Sequence, residues 1–194
     1  VAPDAPTMLI TGGVRSGKST YAERQLAAAA GPDGSAVYVA PGPIPDPAVD
    51  ADWAARVAAH RARRPASWTT IEGTDLSGAL AHGTEPVLID CLGTWVTAVI
   101  DELDGWEKPP AQWRPDYDRR VAALCDAWRG TDRVIIAVSN EVGWGVVPAF
   151  RSGRLFADLL GELNRTVADI ADRVVLVVAG RPLVLPDADH GRPR

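Results

Sequence analysis

The chain has 194 residues, 46% of them hydrophobic and 23% charged, with a formal net charge of −5. That size and balance suit one globular domain, 1–194, with a buried core, and exclude a disordered chain. The excess of acid argues against a nucleic-acid partner, which needs a basic face, and the longest apolar runs are strand-sized, which argues against a membrane span.

The start, Val1 to Pro6, has neither the positive patch nor the apolar core of a signal peptide, so a cytoplasmic location is expected. Residues 1–6 and the tail 187–194 are expected to be flexible ends. Two cysteines, Cys91 and Cys125, stand far apart in apolar contexts, which fits reduced buried thiols better than a disulfide or a zinc site.

The first strand-like run, Met8 to Thr11, leads into Gly12-Gly13-Val14-Arg15-Ser16-Gly17-Lys18-Ser19, and a helix-favouring segment from Ser19 to Ala27 leads out. Strand, glycine-rich loop and helix in that order fit the phosphate-binding pattern G-x-x-x-x-G-K-[ST]. Loop and helix N–H groups converge there on a phosphate, Lys18 adds charge on the outer phosphates, and the Ser19 hydroxyl ligates Mg²⁺. A nucleoside triphosphate is the expected ligand.

A second apolar run, Ala36 to Ala40, precedes the proline-rich Pro41 to Pro47, which suits neither helix nor central strand. Asp50 to Arg64 reads as a helix opened by Asp50, with Trp53, Val57 and His60 spaced to share one face. Two readings of His60 stand: a packed core residue, or a nucleophile whose imidazole attacks an α-phosphorus to form a phosphoramidate. Arg61, Arg63 and Arg64 follow at once, as a solvated helix end or as forked donors for phosphate.

Thr69 to Glu72 is a weaker strand candidate. Val87 to Asp90 is an apolar strand ending in a carboxylate, which suits Mg²⁺ binding beside a phosphate loop. The competing role for Asp90 is a helix cap, for which Thr94 also competes. The stretch Asp104 to Pro115, with Trp106 and Trp113 among three prolines, reads as a second irregular loop, functional or ornamental. Val134 to Ser139 is the next strand. Asn140-Glu141-Val142-Gly143-Trp144-Gly145 follows it, with Glu141 placed to face a ligand and two glycines that either approach something closely or merely shape a turn. Val174 to Ala179 is a strand, and after the break Gly180-Arg181-Pro182 a short antiparallel edge strand returns at Leu183 to Leu185.

Near-continuous apolar strands alternating with helices indicate an α/β fold with a mostly parallel central sheet, flanked by helices and closed by the short C-terminal edge strand. With the phosphate loop it reads as a P-loop NTPase of RecA-like type.

Several motifs in order, over Met8 to Leu185, resemble the bifunctional adenosylcobinamide kinase and adenosylcobinamide-phosphate guanylyltransferase family of cobalamin biosynthesis. They are Gly12 to Ser19, with Arg-Ser before Gly-Lys; Arg56 to Trp68, a histidine helix with an Arg-Pro-x-x-Trp exit; Asn140 to Gly145 with Val147-Pro148; and Gly161, Asn164 and Ala171-Asp172. The resemblance implies phosphorylation of adenosylcobinamide by ATP or GTP. It further implies transfer of GMP from GTP, through His60, to adenosylcobinamide phosphate, giving adenosylcobinamide-GDP. By the same match Gly12 to Ser19, Val39, Ala40, Pro41, Arg61, Ala62, Arg63, Arg64, Glu72 and Asp90 line the nucleotide, Ser19 and Asp90 hold Mg²⁺, Lys18 and His60 are catalytic, and the assembly is a homotrimer. Taken alone, the phosphate loop also fits a kinase of another small alcohol with a structural His60, or a nucleotide-dependent switch.

Overall fold

The computed structural model describes residues 6–42, 48–62 and 64–187, apart from the side chains of Trp53, Arg56 and His60. The expected flexible ends therefore fall, for 1–5 and 188–194, outside the described residues, as does most of the proline-rich loop, 43–47. Seven strands form one sheet: β1 (Thr7–Thr11), β2 (Ala36–Ala40), β3 (Trp68–Glu72), β4 (Val87–Asp90), β5 (Ile135–Val138), β6 (Arg173–Val178) and β7 (Arg181–Val184). Their order is β3-β2-β4-β5-β1-β6-β7. Pairs between β1 and β6 strands are parallel, and only β7 runs antiparallel, against β6.

Six helices connect the strands: α1 (Lys18–Ala30), α2 (Ala51–Ala62), α3 (Leu76–Ala81), α4 (Leu92–Glu102), α5 (Arg114–Arg129) and α6 (Arg151–Ala168). Period-2 alternation sends neighbouring strand residues into two separate cores. Leu9, Val39, Ile89 and Ala137 face a large cluster built with α3, α4, α5 and α6. Met8, Ile10, Tyr38, Leu88 and Val138 face a smaller one with Ala22 and Leu26 of α1. Burial on both faces is why the central strands read as continuous apolar runs.

Two expectations need correction. The chain from Asp104 to Pro115 is not an irregular loop throughout. It contains a 3₁₀ turn, Pro110–Gln112, and Pro115 sits in the first turn of α5, where a missing N–H costs nothing. Trp113 is buried, 1% exposed, edge-on to Tyr117 at 6.3 Å between centroids, so the segment is an anchor in the core rather than an ornament. The edge strand begins at Arg181, not Leu183, because Ala179 (φ 49°) and Gly180 (φ 76°) make a two-residue hairpin turn. Pro182 is tolerated within it because an outer edge needs no donor.

Because β1 to β6 are parallel, their carboxyl ends meet along one edge of the sheet. Asp90 is level with Val138, Ile10 is also level with Val138, and Ala40 is level with Glu72. Open α/β sheets bind ligands at that edge.

Candidate active site

The loop from Gly12 to Gly17 lies between β1 and α1, and several of its carbonyls are already occupied. Gly12 O accepts from the N–H of Glu141 at 3.2 Å, and Ser16 O accepts from the N–H of Gly180 at 2.8 Å. Gly13 O takes the Lys18 ammonium at 3.1 Å. In a trans peptide the N–H points opposite to its C=O, so each tied carbonyl fixes the direction of the next N–H. The N-terminus of α1 adds to this cradle: no side chain caps it, and its first turn carries no acid. An uncapped helix start with free N–H groups is an anion site.

Two glycines have geometric reasons. A Cβ on Gly12 would lie 2.5 Å from the carbonyl oxygen of Val177, and Gly17, at φ 93°, has a conformation that side chains disfavour. Gly180 is a contributor that motif reading missed: the β6–β7 turn braces the phosphate loop from behind.

Lys18 is nearly buried, and burial lowers the pKa of its ammonium, an effect opposed by the negative charge of Cys91 and Asp90 when ionised. Asp90 stands at the end of β4 with one carboxylate oxygen receiving the Ser19 hydroxyl at 3.4 Å and the other the Tyr38 phenol at 2.7 Å. The cap of α4 is not Asp90. Cys91 fills that position, its N–H donating to Thr94 Oγ1 at 3.3 Å and Thr94 Oγ1 donating back to its carbonyl at 2.8 Å. The peptide between Asp90 and Cys91 is cis. Burial and the neighbouring Asp90 push the Cys91 thiol pKa up, which keeps it a neutral packing group and a poor nucleophile.

Glu141 is bound into the same edge: its carboxylate accepts the Thr11 hydroxyl at 2.7 Å. Behind it, Asn164 of α6 accepts from Ser139 Oγ and donates to the carbonyl of Asn140 at 3.1 Å. Thr11 is a polar residue closing an otherwise apolar strand, a signal available in the sequence. A Cβ added at Gly143 or Gly145 would meet nothing within 4 Å among the described residues, and Trp144 between them is exposed.

The helix α2 lies within the expected span, Ala51–Ala62, with Asp50 O accepting from Ala54 N at 3.0 Å. His60 is in its last turn. The side chains of His60 and Trp53, and the whole of Arg63, lie outside the described residues, and Val57 is half-buried. Arg61 pairs with Glu72 at the end of β3. Arg64 lays its guanidinium over the Tyr38 ring, 3.3 Å from the centroid, and donates to Thr70 Oγ1 at 3.1 Å. Val39 is wholly buried in the core and Pro41 is buried beside it, so Ala40 is the most open of that trio.

A family model described as cobinamide kinase / cobinamide phosphate guanyltransferase matches residues 8–185. The chain belongs to this family. It is similar to the bifunctional adenosylcobalamin biosynthesis protein CobU of Escherichia coli strain K12, 35% identical over 89% of this chain and 96% of that protein. The CobU of Salmonella typhimurium is 37% identical over 89% of this chain and 96% of its own length, and CobP of Pseudomonas aeruginosa 39% over 91% and 95%. Among solved structures, a prototypical ATPase of a bacterial type III secretion system shares the fold, at a TM-score of 0.53 and 13% identity, covering 89% of this chain and 51% of that one. The CobU family is thus placed here on a P-loop α/β sheet, as its phosphate-loop motif implies. No helix among the described residues is long and apolar enough to cross a membrane.

Proposed function

We propose that the chain phosphorylates adenosylcobinamide with a nucleoside triphosphate and then transfers GMP from GTP to adenosylcobinamide phosphate through a His60–GMP intermediate. The observation that carries the reading is the phosphate cradle of Gly12 to Ser19 facing Asp90, in a chain whose family match runs over residues 8–185. In the first reaction the acceptor hydroxyl attacks the γ-phosphorus, and the bond to the β-phosphate oxygen breaks. Lys18 and the loop N–H groups are aimed at the charge that develops there. In the second, an imidazole nitrogen of His60 attacks the α-phosphorus of GTP and pyrophosphate leaves. A phosphate oxygen of adenosylcobinamide phosphate then attacks the same phosphorus, the N–P bond breaks, and His60 is regenerated.

Arg61, directly after His60, and Arg64, a turn further on, suit the triphosphate by their forked donors. Arg61 is half-exposed in its pair with Glu72, and such pairs are worth only about 0–1 kcal/mol, so a phosphate competes for it readily. Mg²⁺ fits the donor set: Ser19 and Asp90 offer two hard oxygens at the cradle, as expected for an ion that keeps waters and substrate phosphates as its other ligands. Among the described residues there is no group of three or more His, Cys, Asp and Glu that makes a dedicated metal cage. When bound there by Ser19 and Asp90, Mg²⁺ would supply positive charge against the developing charge of the phosphates.

The reading extends to a cytoplasmic enzyme assembled as a homotrimer. Exposed Trp144, Val146, Val147 and Phe150 beside the site, and Leu183 and Val184 on the edge strand, support association of copies. Sedimentation of the purified chain tests the assembly. Incubation with α-labelled GTP and Mg²⁺, without corrinoid, tests the mechanism. Covalent label that is acid-labile, alkali-stable and mapped to the peptide containing His60 is expected, and label on another residue overturns it.

A further inference from the structure

Asp90 is gripped from behind by a residue that no phosphate-loop motif includes. Tyr38 lies in the middle of β2, wholly buried on the α1 face, and its hydroxyl reaches past the neighbouring strand's end to Asp90 Oδ2 at 2.7 Å. The opposite oxygen, Oδ1, is the one that meets Ser19. A carboxylate's terminal torsion is broad and two-fold, so a donor fixed in a packed core helps to decide which oxygen faces the loop. The Ser19 hydroxyl, donating its proton to that oxygen, keeps its lone pairs for a cation.

The ring of Tyr38 is in turn covered. Thr70, Tyr38 and Leu88 stand level across β3, β2 and β4. Arg64 lies over this row, its guanidinium stacked on Tyr38 and bonded to Thr70. Its Nε is buried and has no hydrogen-bond partner among the described residues. Arg64 follows α2 by two residues, which links the histidine helix through one ring to the carboxylate at the phosphate loop.

We propose that Tyr38 is a positioning residue that presents Asp90 to the nucleotide-bound cation, and that Arg64, seated on its ring, couples the exit of α2 to that carboxylate. The inference rests on the reading of Ser19 and Asp90 as the cation pair.

The test is a Mg²⁺ titration of binding of a fluorescent GTP analogue to the full chain, followed by anisotropy and independent of turnover. Tyr38→Phe should raise the half-saturating Mg²⁺ concentration about tenfold, the size expected for loss of one hydrogen bond to a charged group, while binding in EDTA stays as in the wild type. Arg64→Ala should raise the midpoint severalfold, and should add nothing in the Tyr38→Phe background. Additive shifts overturn the coupling. A lowered Tm with an unmoved midpoint in Tyr38→Phe means a structural role only and overturns the proposal. Asp90→Asn separates the two levels. If it shifts the midpoint and Tyr38→Phe does not, the positioning role fails alone; if neither shifts it, the cation reading fails as well. Should Tyr38→Phe not fold, Arg64→Ala decides alone, and an unmoved midpoint overturns the proposal.

Discussion

At the scale of single residues, the site is a matter of which polar groups are already occupied. The loop carbonyls of Gly12, Gly13 and Ser16 are used by Glu141, Lys18 and Gly180, so what the loop has to offer a ligand is N–H. Lys18 sits folded onto Gly13 O, nearly out of solvent, with a pKa that burial lowers. In the proposed reactions its charge is the one directed at the outer phosphates. Lys18→Ala should therefore lower phosphoryl and guanylyl transfer together, each by at least about a hundredfold, as loss of a preorganised charge-stabilising donor does. Separate assays of the two half-reactions check this, and retention of either rate removes the lysine from that step.

At the scale of elements, the contrast is between motifs that name themselves and contacts that do not. Gly12 to Ser19 and the apolar strand ending in Asp90 were legible because spacing along the chain is itself the signal, and both are found where that signal puts them. Tyr38 was not legible, because its partner is 52 residues away and an apolar strand residue with a hydroxyl looks the same whether or not the hydroxyl matters. The segment around Trp106 and Trp113 misled for a different reason. Prolines there mark the start of α5 rather than the absence of structure, and only tertiary packing shows Trp113 seated on Tyr117. Trp113→Ala should accordingly destabilise the fold by about 3–5 kcal/mol through the cavity it leaves. The residue packs with the α4–α5 core, away from the phosphate loop, so the KM for nucleotide at a temperature where the variant is folded should stay near the wild-type value. Denaturant titration and steady-state kinetics at that temperature are the paired measurements, and a raised KM with unchanged stability contradicts the anchoring role.

At the scale of the whole molecule, one parallel sheet edge gathers every group that the two proposed reactions share, and the groups they do not share come from a single helix. The cradle follows β1, Asp90 ends β4, Glu141 follows β5 and Glu72 ends β3, all brought to one edge by strand direction alone. His60, Arg61 and Arg64 arrive from α2 and the turn after it, and none of the described side chains of α2 is buried in either core. The division predicts separable activities. His60→Ala should lose guanylyl transfer and the covalent GMP adduct, because the Cys91 thiol is held neutral by burial and Asp90 and the Lys18 ammonium is engaged by the Gly13 carbonyl. The same variant should keep phosphoryl transfer to adenosylcobinamide within about tenfold of wild type, since direct transfer from the γ-phosphate needs positioning and charge but no covalent residue. Product analysis with γ-labelled and α-labelled nucleotide in parallel reads both outcomes at once. Full guanylyl transfer by the variant, or equal loss of both activities, would show that α2 is not where the two reactions part.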